Sequence, residues 1–541
     1  MSPNPSGHVP SPVDHRDPEL RLRALFDRGT LRLLADPDGS GVLSGRGRVD
    51  GIPAIAFATD ATRKGGALGV AGCRRIVEAI GTAVRERVPV AGLWHSGGAR
   101  LAEGVVALDG VGRVFAAVVQ ASGRIPQISA VLGPAAGGAA YAPALTDIVI
   151  RSRAGRLFVT GDATPVPPPP GTALPGHTGL TTAFGGPFPG APAHSHSRPA
   201  TGARSTGVPT GVPTGPSTSA STSLPTGPST GASTSLPTGP SAGFSAGPEA
   251  GAHGSEVVHL TAADDEAALA QTRALIVLLG RQGRVSPDDV KPGASTGISL
   301  DALIPAGSIH PYDVRPVIRG LLDEHGTELH AGWAPNVVTT LGRFAGRTIG
   351  VIANNPLHLG GCLDAPAAEK AARFVRMCDS LGLPLIVLVD APGHLPGPGD
   401  DWDGVIRRGA KLLHAFAEAV VPRVTLVTRR AYGGAYIAMN SRALGATAVF
   451  AWPDADVAAL DPSAAVGILH RRALAATPPG DRPAHHARLL RDRLAAAGDI
   501  TQAVATGVID AVITPTETRR RIAETFAAAP AGRGRPGPTP L

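Results

Sequence analysis

Two glycine pairs in this 541-residue chain stand where backbone N–H groups could hold an oxygen that is gaining negative charge. Gly137-Gly138-Ala139 follows the apolar run from Ile125 to Val131 and its continuation from Leu132 to Ala136. Gly433-Gly434-Ala435 follows the matching run from Val421 to Val427 and its continuation from Thr428 to Tyr432. Each reads as a strand whose end opens a helix. Glycine lets backbone approach a ligand closely, and the first N–H groups of a helix have no acceptor within it. With the helix dipole, such donors favour an oxyanion. Thioester enolates and ureido oxygens in group transfer are of that kind. A glycine pair at a helix start can also serve close packing alone; two of them in equivalent settings strengthen the chemical reading.

The elements that must position these pairs are repeated too. Pro89 to His95 lines up with Pro384 to Asp390 at an offset of 295, and the glycine pairs recur at an offset of 296. In the first half, a helical pattern from Cys73 to Arg87 precedes a strand from Val88 to Trp94. A helix from Gly110 to Ser122 then precedes a strand from Gln127 to Leu132. In the second half, helices from Ala367 to Leu381 and from Arg407 to Val420 alternate with strands from Leu383 to Val389 and from Val424 to Thr428. The common unit predicts two related α/β domains, built from βαβ units with mainly parallel pairing.

Between the halves lies a tract that cannot form a core. Thr164 to Gly254 is almost entirely Pro, Gly, Ser, Thr and Ala, with the nine residues from Ser221 to Ser229 repeated from Ser233 to Ser241. So few large apolar groups cannot offset the ordering entropy, which predicts a disordered insertion over 164–254. The ends, 1–18 and 530–541, are expected to be disordered as well. This leaves a first domain over 19–285, interrupted by the insertion, and a second over 286–529.

Composition narrows the function classes. The net charge is +7, and the only lysines are Lys64, Lys291, Lys370 and Lys411. No basic stripe with interleaved aromatics appears, so no nucleic-acid partner is expected. Cys73, Cys362 and Cys378 have neither metal-site spacing nor the numbers for a disulfide framework. No metal is expected, and His194 and His196 read as inert residues of the low-complexity tract. Without a signal-peptide pattern or an apolar run of membrane length, the chain is expected to be cytoplasmic. There is no P-loop, H-E-x-x-H, G-x-S-x-G elbow or paired C-x-x-C. Ser96, in His95-Ser96-Gly97-Gly98, has a nucleophile-like setting but no assignable His/Asp partnership; a structural loop serine is the simpler reading.

Several motifs carry a family resemblance. In the first half these are Ser96-Gly97-Gly98-Ala99-Arg100-Leu101-Ala102-Glu103-Gly104, the stretch Ala121 to Ser129, and Gly133 to Asp147. In the second they are Gly361-Cys362-Leu363-Asp364, Lys370 to Arg376, Asp390-Ala391-Pro392-Gly393, Leu395-Pro396-Gly397, Gly409-Ala410-Lys411-Leu412, Ala415 to Pro422 and Ala431 to Tyr436. The chain resembles the carboxyltransferase (β) subunits of biotin-dependent acyl-CoA carboxylases, nearest to propionyl-CoA and acetyl/propionyl-CoA carboxylase β chains. The resemblance spans about 19–162 and 254–528.

This resemblance implies two tandem crotonase-like domains of the ClpP/crotonase type. It implies transfer of a carboxyl group from carboxybiotin, carried by a biotin carboxylase/biotin carboxyl carrier partner, to the α-carbon of a short acyl-CoA such as propionyl- or acetyl-CoA. In that mechanism carboxybiotin gives up its carboxyl group, the ureido nitrogen takes the α-proton, and the enolate attacks the carbon dioxide. Carried over by position, the N–H groups of Gly137 and Gly138 hold the thioester oxygen, and those of Gly434 and Ala435 hold the biotin oxygen. Gly97, Gly98 and Arg100 fall on the acyl-CoA side, with Arg100 a candidate for the coenzyme A phosphates or an ordinary ion-pairing arginine. Tyr436 and Ile437 adjoin the biotin-side pair. The family works as a hexamer, with sites between the first domain of one chain and the second of another. The chain has neither an A-M-K-M biotinylation site nor a biotin carboxylase segment, so biotin must come from a partner.

The pattern is broken in three places. The low-complexity tract replaces a family segment after Phe158-Val159-Thr160-Gly161. Ile437 stands where the propionyl-type pattern has an aspartate, which points to an altered acyl range or to a neutral packing change. Pro462, in Leu460-Asp461-Pro462, could disturb the local backbone. The alternatives to an active carboxyltransferase are a noncatalytic assembly paralogue and the carboxyltransferase subunit of a biotin-dependent decarboxylase.

Overall fold

The computed structural model describes residues 14–158, 257–290, 300–305, 310–395, 402–496 and 500–534. The insertion 164–254 and its His194 and His196 lie outside the described residues, as do 1–13 and 535–541.

The first lobe contains strands β1 (Arg32–Leu33), β2 (Val42–Val49), β3 (Ile52–Thr59), β4 (Val90–Ser96), β5 (Gln127–Ala136), β6 (Ile148–Arg151), β7 (Arg156–Phe158) and β8 (Leu260–Thr261). They run in the order β1-β2-β3-β4-β5-β6-β8, with β7 paired to the far end of β5. Its helices are α1 (Pro18–Leu25), α2 (Val70–Glu86), α3 (Val105–Ala121), α4 (Gly138–Ala144) and α5 (Asp265–Gly280). The second lobe has β9 (Thr327–Leu329), β10 (Val337–Phe344), β11 (Arg347–Asn354), β12 (Leu385–Ala391), β13 (Arg423–Tyr432), β14 (Ala448–Ala451), β15 (Asp456–Ala458) and β16 (Ala511–Val512). The order is β16-β14-β13-β12-β11-β10-β9, with β15 on the far end of β13. Around it lie α6 (Arg315–Leu321), α7 (Ala365–Leu381), α8 (Trp402–Glu418) and α9 (Gly433–Ala438).

The duplication extends beyond the segments legible as a repeat. β2, β3, α2 and β4 each stand 295 residues from β10, β11, α7 and β12, and β5 stands 296 from β13. The central strands pair in parallel, as expected. Each sheet also contains an antiparallel hairpin, β2–β3 and β10–β11. Their two-residue turns, Asp50-Gly51 and Ala345-Gly346, have positive φ at both positions, the turn geometry that matches strand twist.

Apolar side chains of the two lobes form a common core. One cluster runs from Leu22, Ile128 and Ile276 in the first lobe to Val337, Leu385 and Val427 in the second. At the seam, His259 donates its N–H to Val149 O, His330 donates its N–H to His259 O, and the two imidazoles stack at 4.1 Å.

Three expectations need correction. Residues 14–18 are not disordered, because Asp17 caps α1 by accepting from the N–H groups of Glu19 and Leu20. Residues 530–534 are docked too: Arg533 donates to Ser380 O and to Gly123 O, and Gly534 N–H donates to Asp379 O. Pro462 does not disturb the backbone. It is the first residue of the helix Pro462–Leu469, capped by Asp461, where its fixed φ and missing N–H cost nothing.

Candidate functional site

The two long strands, β5 and β13, aim the site. Each continues past its neighbours and is flanked there by a short strand, β7 or β15. The chain then turns through a glycine in the left-handed region, Gly137 at φ 54° and Gly433 at φ 55°, and enters α4 or α9. Only glycine takes that conformation without strain, so the first glycine of each pair serves the turn.

This divides the glycine pairs differently from the sequence expectation. Gly137 donates its N–H to Phe158 O at 3.0 Å, because the β5–β7 ladder runs one residue past Ala136, and Gly137 is therefore no free donor. Ala140 N–H returns to Gly137 O. The first-turn N–H groups left without an acceptor in the helix are those of Gly138 and Ala139. Their counterparts at the 296 offset are Gly434 and Ala435. Ala139 is thus a candidate donor that the sequence reading did not name, and that offset was the signal that could have found it. The helices are only seven and six residues long, so the donors act as N–H groups rather than through a large dipole.

The second glycines differ. A Cβ on Gly138 would lie 2.4 Å from Val111 Cγ1, so this position also serves the packing of α3 on α4. A Cβ on Gly434 would meet only the His394 ring, at an ordinary 3.5 Å.

The loop after β4 sits against the first pair. Gly98, at φ 95°, lies so close to the end of β5 that a Cβ would be 3.0 Å from Ala136 O. Its N–H is held by Ser96 Oγ at 3.2 Å, and Gly97 N–H by Gly65 O at 2.9 Å, so both glycines shape the loop. Ser96 is fully buried and accepts that bond, which is the structural serine. Arg100 turns inward: it pairs with Glu103 at 2.8 Å and donates to Ser40 O and Ala67 O. Glu103 in turn accepts from Val70 N–H at the start of α2. Arg100→Gln is therefore expected to lower stability by about 1–2 kcal/mol in a denaturant titration.

Beside the second pair lies a cavity of about 570 Å³, lined by Gly434, Tyr436, Ile437, Val457, Ala459 and Val508 among others. Its wall is largely apolar. Tyr436 presents its ring, while its hydroxyl donates to Val508 O and burial pushes its pKa up to about 12. Ile437 is 46% exposed at the rim, the position that Tyr141 holds in the first lobe. Buried Asp390 accepts from Arg429 Nε and Arg430 Nε, each at 2.8 Å, which ties the end of β12 to that of β13. Arg430 also reaches Gly360 O at 3.0 Å. His394 also lies against Gly434; it is absent from the sequence reading, being the single residue between the Asp390–Gly393 and Leu395–Gly397 motifs. Burial lowers the pKa of its imidazole, which favours the neutral form.

Two duplicated lobes, each ending its longest strand in a pair of N–H groups without an acceptor among the described residues, define a crotonase-like carboxyltransferase architecture. The carboxyl transferase domain model matches residues 23–164 and 245–535, and the chain belongs to that family. It is 46% identical over 531 residues, 98% of each chain, to the biotin-dependent acetyl-/propionyl-coenzyme A carboxylase beta6 subunit of Mycobacterium tuberculosis. It is 48% identical over 495 residues to the propionyl-CoA carboxylase beta chain of Rhodococcus erythropolis, covering 91% of this chain and 89% of that one. Among solved structures it is similar to transcarboxylase 12S, described as a hexamer with methylmalonyl-coenzyme A bound. That likeness has a TM-score of 0.73 and 32% identity, over 96% of this chain and 92% of that one.

Proposed function

We propose that this chain moves a carboxyl group from carboxybiotin, held on a biotin carboxylase/carrier partner, to the α-carbon of propionyl-CoA or acetyl-CoA. The observation that carries this reading is the pair of equivalent donor sites, Gly138/Ala139 and Gly434/Ala435, in a chain of this family. The first pair holds the thioester oxygen as it becomes an enolate. The second holds the ureido oxygen as the ring nitrogen loses its carboxyl group and takes the α-proton. The reacting molecules supply their own base, which accounts for a site built from backbone donors.

The working form is a homo-hexamer in the cytoplasm, with each site shared between chains. Exposed apolar side chains flank both pairs: Val105, Val106, Leu108 and Tyr141 on the first lobe, and Ile406, Leu413 and Ile437 on the second. Apolar surfaces of that kind are covered in an assembly. No helix among the described residues is long and apolar enough to cross a membrane.

A substrate panel tests the reading. Chain, biotinylated partner, ATP, labelled bicarbonate and acyl-CoA of increasing length are combined. Acid-stable label should appear with propionyl- and acetyl-CoA and depend on ATP. No fixation with any acyl-CoA would leave a noncatalytic assembly role instead.

A further inference from the structure

The duplicated lobes differ at a position that, in the second lobe, faces a donor pair. In each lobe the loop after the fourth or twelfth strand makes a single bridge back to the segment before a long helix: Leu68 with Ala99, and Leu363 with His394. The two bridges are equivalent at the 295 offset. The first lobe places a methyl group there and the second an imidazole.

That imidazole is held in place. Leu363 donates its N–H to Gly393 O, and Leu395 donates its N–H to Leu363 O, so the backbone is fixed on both sides of His394. Its Cε1 lies 3.5 Å and its Nδ1 3.8 Å from the position a Cβ on Gly434 would occupy. The ring is half-buried, yet its nitrogens are not among the buried unpartnered atoms, and no side-chain hydrogen bond engages them among the described residues.

The chemistry at the two pairs differs in a corresponding way. Before transfer, the thioester oxygen of propionyl- or acetyl-CoA has no charged neighbour in the acyl group. A carboxylated ureido ring does, because its carboxylate sits on the nitrogen bonded to the ureido carbon, directly beside the ureido oxygen. A donor next to Gly434 and Ala435 therefore meets that carboxylate. We infer that His394 is a positioning residue for the carboxyl donor, with its imidazole N–H hydrogen-bonded to the carboxylate of the N-carboxylated ureido ring. A neutral donor suits a carboxylate that must depart as uncharged carbon dioxide, since a fixed cation would hold the charged ground state more tightly. His394 forms and breaks no covalent bond.

This inference rests on the second pair as the biotin side, and the experiment separates the two. Full-length chain is assayed with N-carboxybiotin as carboxyl donor, and binding of plain biotin is measured alongside. His394→Phe keeps a ring but no N–H; it should raise KM for N-carboxybiotin about tenfold or more, and leave the Kd for biotin unchanged. His394→Ala, which only removes atoms, should show the same selective loss, and His394→Gln, which retains an N–H donor, should recover most of it. Wild-type behaviour in both His394→Phe and His394→Ala, or equal weakening of both ligands, overturns the inference. Ala435→Pro should impair both ligands; if it impairs neither, the assignment of the second pair itself fails.

Discussion

Ala435→Pro is expected to reduce biotin-dependent carboxyl transfer by about 10²–10³-fold, the usual cost of removing one oxyanion donor. Ala435 is fully buried in the first turn of α9, where its N–H has no acceptor within the helix. Proline is tolerated in a first turn, and the preceding residue is glycine, whose backbone adapts to it. The change thus removes the donor without breaking an intrahelical bond. Ala435→Gly keeps the N–H and should retain most activity. A matching melting curve for the two variants, with activity lost only in the proline form, assigns the effect to the N–H group. Full activity in a folded Ala435→Pro enzyme would show that this donor holds nothing in the reaction.

The second large effect belongs to the other lobe. Ala139→Pro should lower transfer to acyl-CoA by a comparable factor of about 10²–10³. Biotin binding should be untouched, since Gly434 and Ala435 are unchanged. Ala139 is a better test position than Gly138, where any side chain would run into Val111. It also separates the structural assignment from the sequence expectation. Gly137 N–H belongs to the sheet, through Phe158 O, whereas Ala139 N–H has no acceptor within its helix. If Ala139→Pro weakens biotin binding as strongly as acyl-CoA turnover, the division of labour between the lobes is wrong.

Much of this architecture was legible in the sequence because the chain writes it twice. Short apolar strands alternating with helical patterns, at offsets of 295 and 296, specify two parallel-sheet lobes. The β2–β3 and β10–β11 hairpins were harder to read. Asp50-Gly51 is a recognisable turn dipeptide, but Ala345-Gly346 adopts the same geometry with an alanine at φ 47°, which propensity does not favour.

At the site, residue type pointed to the two helix starts, where Gly138, Ala139, Gly434 and Ala435 stand as the candidate donors. What it could not show is which N–H groups a neighbouring strand consumes, a matter of how far the β5–β7 ladder continues. Arg100 illustrates the same limit. An arginine in a glycine-rich loop reads equally as a ligand contact or an ion-pairing residue until Glu103 and two carbonyls are found around it. His394 was hidden for the opposite reason, since the histidine gains meaning only once folding brings it against Gly434.

The most direct measurement is ATP-free transfer of label from the carboxyl group of methylmalonyl-CoA or malonyl-CoA to a biotinylated carrier. The reaction isolates this chain from any biotin carboxylase step and requires both donor pairs at once. Label should move to the carrier with the wild-type chain and be lost in both Ala139→Pro and Ala435→Pro. Carrier and thioester that both bind without any exchange of label would contradict that mechanism.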